Sequence, residues 1–368
     1  MEKINYAVIG VGGVGKAHVR AAKELGNVSL VAVADINEEI GRKIGEEYSV
    51  KWYKDYHEML DKENIDAVSI AVPHFLHAPI TIDVIDNFKK HVLIEKPIAV
   101  TVKEADSMVT TARKNNVKLA VCFQRRYSGI SMALDEIIKS GKLGHMLRGV
   151  MLHLTFRDMI YYSSGAWRGK WAKEGGGVLI NQGIHTLDYF LWLANEKPKK
   201  LFAFANNLLH DIEVEDVASA SLVFENGAQA VLQFSCFDKP GRNLIHIKYE
   251  RGTLDISDNV RIAYTPDLSE MVSGNIPHKS INIDWVDVKP KQVKYEGHTG
   301  VVYDFVEAII EDREPLVNGE ESIRSLEVVN AIIMSAVLHK PVDFPINREA
   351  YERVWNDLKE AKTIKTFQ

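Results

Sequence analysis

The first third of the chain alternates short apolar strands with amphipathic helices, and this alternation constrains the fold more than any other feature. The strand 4–10 ends in glycine, helical periodicity follows over 14–26, and 28–35 is a second apolar strand. Strands separated by helices of this length form βαβ units, whose strands lie parallel in one sheet. The pattern therefore predicts an α/β domain with a parallel sheet over residues 1–123. Its further predicted segments are helices at 37–48, 55–62, 78–89 and 101–116 and strands at 51–53, 66–72, 91–96 and 117–123.

A glycine-rich turn joins the first strand to the first helix. Gly10, Gly12 and Gly15 have the spacing G-x-G-x-x-G, and Asp35 ends the second strand. Glycines permit a tight turn and a close approach of the backbone to a pyrophosphate, while the helix N-terminus offers free N–H groups. The acid suits the ribose hydroxyls of NAD and repels the 2′-phosphate of NADP, so we predict NAD in a Rossmann domain, with NADP left open. The predicted contacts in this part are Gly10, Gly12, Gly13, Val14, Gly15 and Asp35.

Two later turns follow strands of the same predicted sheet. Pro73 and His77 come after strand 66–72, and Glu95-Lys96-Pro97 ends strand 91–96. Ligands of open parallel sheets bind beyond the carboxyl ends of the strands, so we expect these two turns to face the cofactor. The alternatives are a plain loop in the first case and a solvated surface lysine in the second. The predicted contacts from the two turns are Pro73, His77, Glu95 and Lys96.

Beyond residue 123 the pattern changes to successive hairpins. The strand-like stretch 217–237 turns at Asn226-Gly227, and 244–257 turns near Arg251-Gly252. Consecutive hairpins indicate antiparallel pairing. We therefore predict a second, α+β domain over residues 124–368, built on a large open and mainly antiparallel sheet. Its other predicted strands are 146–156 and 200–209.

The stretch 175–188, GGGVLINQGIHTLD, carries the main candidates for chemistry in this second part. On a helix, Asn181 and His185 share one face, with Asp188 a further turn along. Histidine suits proton transfer near neutral pH, and asparagine can orient a ligand by donating and accepting hydrogen bonds. The alternative is a polar seam in a buried helix.

Aromatic and cationic residues supply further substrate candidates. Trp167 and Arg168, with Tyr162 just before them, suit a sugar ring and an anionic group, because a guanidinium binds carboxylate or phosphate bidentately. A loop anchored in the core by its tryptophans is the alternative. Arg125, after the last predicted strand of the first domain, is a comparable candidate, and His298 is a further one because it lies just before a predicted helix at Asp304, from which it can reach the cleft.

Composition narrows the class of protein. The formal charge of −5 and the lack of a long basic run argue against nucleic acid as a partner. No run reaches the roughly 18 apolar residues of a membrane span, and two cysteines are too few for a disulfide framework. We expect a cytoplasmic protein without a membrane partner, and no metal site is predicted.

The motifs together resemble the Gfo/Idh/MocA family, named after glucose–fructose oxidoreductase, inositol dehydrogenase and a rhizopine-catabolism protein. The similarity covers almost the whole chain, including the closing segment 304–336. It implies a Rossmann domain, a second domain whose open sheet makes dimer or tetramer contacts, and nicotinamide-dependent oxidation or reduction of a sugar, cyclic polyol or sugar derivative. The motifs that carry it are GVGGVG, Asp35, VPHFLH, EKP and GGGVLINQGIHTLD.

The resemblance also implies roles for single residues. The family lysine matches Lys96 and its helix histidine matches His185, which we expect to be the general acid/base; the reverse assignment stays open. Inositol-dehydrogenase-like members carry aspartate where this chain has Asn181, which argues against inositol itself as the substrate. The segment is similar to another branch, in which dehydrogenases of sugar-nucleotide uronic acids occur. A non-catalytic dinucleotide sensor and an NAD-assisted glycoside hydrolase are the alternative functions.

Overall fold

The computed structural model describes residues 3–276 and 281–365, and the chain divides into two compact units. The first comprises Met1–Ser128 and Val293–Leu326, and the second comprises Gly129–Gln292 and Glu327–Gln368. The sequence predicted one boundary after residue 123, but the segment Val293–Leu326 packs within the first unit. The reason is long-range packing, since Phe305 of this segment lies edge-on to Tyr6, with 6.4 Å between ring centroids. The sequence indicates a helix at Asp304 but not the strand residue Tyr6 against which it packs.

The first unit is built on a six-stranded sheet in the order β3-β2-β1-β4-β5-β6, with every neighbouring pair parallel. The strands are apolar on both faces because helices cover both sides of such a sheet. The chain reverses direction across the sheet between β1 and β4, so a crevice opens beyond their carboxyl ends. The strands are β1 Ile4–Ile9, β2 Val28–Ala34, β3 Lys51–Tyr53, β4 Ala67–Ile70, β5 His91–Glu95 and β6 Leu119–Cys122. The helices are α1 Gly15–Glu24, α2 Glu38–Tyr48, α3 Tyr56–Lys62, α4 His77–Phe88, α5 Val102–Lys114 and α11 Gly297–Ile310.

The second unit is built on a nine-stranded sheet in the order β14-β13-β12-β11-β7-β10-β9-β8-β15. Within this sheet, only β7 and β10 pair in parallel among the described strands, so the sheet is mainly antiparallel, as predicted. The strands are β7 Met146–Phe156, β8 Pro198–Asn206, β9 Val217–Phe224, β10 Gln229–Ser235, β11 Phe237–Tyr249, β12 Gly252–Ile256, β13 Val260–Tyr264, β14 Trp285–Asp287 and β15 Val342–Asp343. The helices are α6 Gly129–Lys139, α7 Met159–Ser163, α8 Trp171–Glu174, α9 Ile184–Ala194, α10 Leu268–Val272, α12 Gly319–Leu338, which begins in the first unit, and α13 Arg348–Ala361.

The two faces of the nine-stranded sheet differ. Helix α9 packs on one face, where a Cβ at Gly149 would lie 2.7 Å from the ring of Phe190. On β8, Leu201 and Ala203 are buried, whereas Phe204, on the opposite face, is 64% exposed. The sheet therefore has one covered face and one face with apolar side chains in solvent. Within the described residues, no helix has the length and apolar character needed to cross a membrane.

Candidate cofactor and active site

The turn between β1 and α1 has the backbone geometry of a dinucleotide site. Gly10 adopts φ +81°, and a Cβ at Gly15 would lie 1.9 Å from the carbonyl oxygen of Gly10, so both positions require glycine. Nothing lies within 4 Å of a Cβ built on Gly12 or Gly13, which leaves open space beside the first turn of α1. No side chain caps this helix at Val14. Open space at an uncapped helix N-terminus fits the pyrophosphate of a dinucleotide.

Asp35 is attached to this turn at the end of β2. One carboxylate oxygen accepts a hydrogen bond from the N–H of Val11 at 2.8 Å, and the other accepts one from the N–H of Asn37 at 2.8 Å. Each oxygen has a further lone pair, so the carboxylate can also accept from a ribose hydroxyl. The structure thus brings the predicted glycine and acid contacts together at one edge of the sheet.

The turns after β4 and β5 meet at the same edge. Lys96 is half-buried, and the buried ring of His77 lies between the carbonyl oxygens of Pro97, at 2.6 Å from Nδ1, and Val72, at 2.9 Å from Nε2. Burial lowers the pKa of His77. The ring is 0% exposed, so the expected cofactor contact is corrected: His77 supports both turns from within. Pro73 is half-buried at the start of its turn.

A buried cluster lies directly behind Lys96. The carboxylate of Glu95 is 2.9 Å from Nε2 of His18 and 3.6 Å from Nε2 of His298. Together with Cys122, these residues place one potential metal-ligand atom each within 4.8 Å of one another. Burial, and a hydrogen bond to Glu95, raise the pKa of the Cys122 thiol well above its ordinary value. The carboxylate of Glu95 already accepts a hydrogen bond from His18 at 2.9 Å, so we interpret the group as a hydrogen-bonded cluster.

Two of the predicted contacts in this unit have different surroundings from those expected. His298, predicted to contact substrate, lies instead against Glu95 inside the first unit, because α11 packs on α1. Glu95, predicted as a cofactor contact, is only 4% exposed. Arg125 is exposed in a short helical turn that follows β6.

In the second unit, the backbone conformation or a close contact requires glycine at each position of the triplet 175–177. Gly175 ends α8 with φ +84° and Gly176 adopts φ +154°. A Cβ at Gly177 would lie 2.0 Å from the carbonyl oxygen of Glu215. The side chain of Glu215 in turn accepts hydrogen bonds from the N–H groups of Gly177 at 2.8 Å and Leu179 at 3.1 Å. The glycines therefore wrap a buried carboxyl group, whose pKa burial raises to about 7.

Asn181 lies in a π-helical turn, Leu179–Gly183, directly before α9. The wider turn is marked by the hydrogen bond from the N–H of Gly183 to the carbonyl of Val178 at 2.7 Å. Such turns are rare and are frequent at functional sites. The sequence predicted one regular helix; the structure keeps His185 in the first turn of α9, half-buried, and buries Asp188.

The side chain of Asn181 is hydrogen-bonded to residues of the second unit. Its Nδ2 donates to the hydroxyl of Tyr161 at 3.0 Å and to the carboxylate of Glu174. Both amide protons of Asn181 are therefore engaged within this unit.

Tyr161 joins the predicted residues around Asn181. Its hydroxyl accepts hydrogen bonds from Gln182 at 2.9 Å and from Arg168, whose guanidinium lies 4.3 Å from the Tyr161 ring centroid and 4.5 Å from that of Trp167. Tyr162, the predicted aromatic, is buried with its hydroxyl 3.3 Å from Sγ of Cys236, so it is a core residue.

Sequence reasoning missed four members of this cluster. Glu174 directly precedes the glycine triplet and Gln182 follows Asn181, so their proximity was a usable signal. The sequence carries no such signal for Glu215, because this residue is distant from the triplet along the chain and contacts it only in the folded structure. The missed residues are Tyr161, Glu174, Gln182 and Glu215.

Comparison with known proteins agrees with this geometry. Residues 4–123 match the GFO_IDH_MocA oxidoreductase family, described as having an NAD-binding Rossmann fold, and residues 131–255 match the GFO/IDH/MocA C-terminal domain. Among curated proteins, myo-inositol 2-dehydrogenase of Thermotoga maritima is 30% identical over 240 residues, 63% of this chain and 68% of that protein. D-apiose dehydrogenase of Paraburkholderia graminis is 23% identical over 344 residues, 91% of this chain and 88% of that protein.

A solved structure resembles nearly the whole chain. The WlbA dehydrogenase from Bordetella pertussis, in complex with NADH and UDP-GlcNAcA, superimposes with a TM-score of 0.80 at 26% identity, covering 94% of this chain and 100% of that one. The predicted fold class and the predicted cofactor NAD are confirmed. The two domain matches together span more than half of the chain. The chain therefore belongs to the Gfo/Idh/MocA family and is an NAD(P)-dependent dehydrogenase.

Proposed function

We propose that this dehydrogenase transfers a hydride between NAD and a secondary alcohol of a sugar, cyclic polyol or sugar derivative. The observation that carries the proposal is the placement of two side chains suited to proton chemistry, Lys96 and His185. Lys96 lies at the cofactor edge of the Rossmann sheet, and His185 begins α9 beside the held amide of Asn181. The two relatives described above are named as dehydrogenases of myo-inositol and D-apiose, which supports the substrate class.

We assign the proton chemistry to the chain's own residues. NAD, when bound, accepts the hydride. Lys96 donates a hydrogen bond to the reacting oxygen and stabilises its developing negative charge. His185 removes the hydroxyl proton, because an imidazole titrates near working pH. Asn181 orients the substrate, and Tyr161 and Glu174 hold its amide in place.

Within this class we favour a substrate that carries an anionic group. Arg168 stacks on Trp167 and Tyr161, which presents a guanidinium beside aromatic surface. A guanidinium pairs bidentately with carboxylate or phosphate. The similar WlbA structure was solved with UDP-GlcNAcA, which agrees with this preference.

The test is a substrate screen of the purified protein with NAD and NADP. Inositols, free sugars, sugar acids and sugar nucleotides are added in turn, and reduced cofactor is followed at its absorbance maximum. Lys96→Ala and His185→Ala are each expected to lower kcat by at least about a hundredfold while NAD still binds. Wild-type turnover in either variant removes that residue from the mechanism. Glycoside cleavage without net reduced cofactor, or NAD binding without any turnover, contradicts the proposal.

Assembly and location belong to the same proposal. We propose a homodimer or homotetramer formed through the open face of the nine-stranded sheet, supported by the exposed Phe204 and by Val231, which is 53% exposed. A cytoplasmic location is supported by Cys122 and Cys236, which are both buried free thiols.

A further inference from the structure

The cluster behind Lys96 has a feature that the proposed mechanism does not use: a fully enclosed negative charge. Glu95 is 4% exposed, and its carboxylate lies 2.9 Å from Nε2 of His18. Although burial alone raises a carboxyl pKa, the hydrogen bond from His18 at 2.9 Å and the nearby ring of His298, 3.6 Å away, hold the pKa of Glu95 well below its ordinary value. The carboxylate is therefore ionised inside the first unit.

The hydrogen bonds that lead to Glu95 all donate toward its carboxylate. Because Glu95 is an anion, Nε2 of His18 must carry a proton and donate it to the carboxylate. Nδ1 of His18 lies 2.8 Å from the hydroxyl of Ser69, which lies 2.5 Å from the hydroxyl of Tyr6. Burial raises the pKa of Tyr6, so its phenol stays protonated and can donate to Ser69. The chain Tyr6, Ser69, His18 thus ends on Glu95.

Lys96 is the cation beside this anion. Its backbone N–H donates to Glu95 at 3.2 Å, and its positive charge is among the groups that lower the pKa of Glu95. Electrostatic interaction between two groups is reciprocal, so the same carboxylate stabilises the protonated amine of Lys96. The groups that face Glu95 are His18 from α1, Cys122 from β6, His298 from α11, and Lys96.

We propose that Glu95 is a fixed counter-charge that keeps Lys96 protonated, so that Lys96 acts as a hydrogen-bond donor and His185 is the proton acceptor. His18 and His298 are positioning residues, since they act on Lys96 only through Glu95. This inference rests on the proposed function for its link to catalysis, and it chooses between the two assignments of Lys96 and His185 that the sequence left open.

A direct test measures the protonation of Lys96 without any substrate. Trace acetic anhydride acylates only neutral amines, and quantitative peptide mass spectrometry reports the rate at Lys96 as a function of pH. Glu95→Gln keeps the shape of the side chain and removes its charge. Because one pH unit of displacement changes the neutral fraction tenfold, we expect Lys96 of this variant to react about tenfold faster at pH 8 than in the native protein.

The matched control is Glu58→Gln, which removes an exposed carboxylate of the same unit that pairs with Lys62. Its Lys96 rate should equal that of the native protein, because surface ion pairs have weak and screened effects. An equal Lys96 rate in Glu95→Gln and the native protein overturns the inference. One equivalent of bound zinc in the purified protein would also overturn it, since the cluster would then be a ligand set.

Kinetics with a substrate from the screen provide the second measurement. In Glu95→Gln the alkaline decline of kcat should move to lower pH by about one unit, with NAD affinity unchanged. His298→Ala should lower kcat about tenfold with little change in KM, and His298→Gln, which retains a donor, should restore most of it. If Glu95→Gln does not fold, the His298 pair still tests the inference, and equal kcat in both His298 variants and the native protein contradicts it.

The two proposals fail in different ways. If Lys96→Ala retains full turnover, Lys96 has no catalytic role and the proposed mechanism is wrong. The acylation experiment keeps its meaning in that case, because it reports only whether Glu95 holds the proton on Lys96. Conversely, if Glu95→Gln leaves the acylation rate of Lys96 unchanged while the native protein is an active dehydrogenase, only the role inferred for Glu95 is wrong.

Discussion

The carboxyl group of Glu215 makes folding stability depend on pH in a way that one substitution reveals. This side chain is 0% exposed, and burial raises its pKa from 4.5 to about 7. A raised folded pKa means that the folded chain holds the proton more tightly. Its stabilising contribution is complete below pH 4.5 and is lost as pH rises through about 7.

The magnitude follows from the displacement. The rise of the pKa from 4.5 to about 7 corresponds to about 3 kcal/mol, most of which develops between pH 5 and pH 8. Glu215→Gln cannot ionise, while its Oε1 still accepts from Gly177 and Leu179. The free energy of unfolding of the native protein, minus that of the variant, should therefore fall by about 2 to 3 kcal/mol over this range.

The assay is urea unfolding followed by tryptophan fluorescence at pH 5, 6, 7 and 8. Glu225→Gln, at an exposed position of the same unit, is the matched control and should show no comparable trend. A difference between native protein and Glu215→Gln that stays constant across this pH range would refute the reasoning. The carboxyl group would then be ionised throughout or solvated in the folded state.

Three further outcomes are expected from the second unit. Gly177→Ala should lower the melting temperature strongly or prevent folding, because its Cβ would lie 2.0 Å from the Glu215 carbonyl oxygen. Gly26→Ala of the first unit, with open space around its Cβ, is the control and should leave the melting temperature nearly unchanged. Differential scanning fluorimetry measures both. Tyr161→Phe removes the hydroxyl that holds Asn181, so kcat/KM should fall about tenfold with NAD affinity unchanged, and an unchanged kcat/KM argues against this role. Phe204→Glu should give a smaller particle by light scattering if the open sheet face assembles, and the same mass as the native protein contradicts that assembly.

Local pattern determined most of the first unit. The alternation of strands and helices, the turn Gly10 to Gly15 and the acid Asp35 are neighbours in the chain or lie at successive strand ends, where a parallel sheet necessarily collects them. Lys96 was found by the same rule, because it directly follows β5. Hairpin turns such as Asn226-Gly227 likewise predicted the antiparallel sheet, since turn chemistry is local.

Side-chain environments depended on contacts between distant segments, which periodicity does not encode. The sequence placed His77 at the correct edge but not in its buried position between two carbonyls. It chose Tyr162 over Tyr161, because adjacent residues of a short helix differ only in the direction they face. Asn181 was assigned to a regular helix, whereas a π-helical turn holds it.

The sequence by itself determined the fold class, the cofactor and the residue types available for chemistry, because each follows from spacing along the chain. Only the tertiary structure decided that α11 returns to the first unit and brings His298 to Glu95, and that Glu215 fills the turn made by three glycines. The physical reason is burial: a charge acquires its protonation state from partners that the fold, and not the neighbouring sequence, supplies.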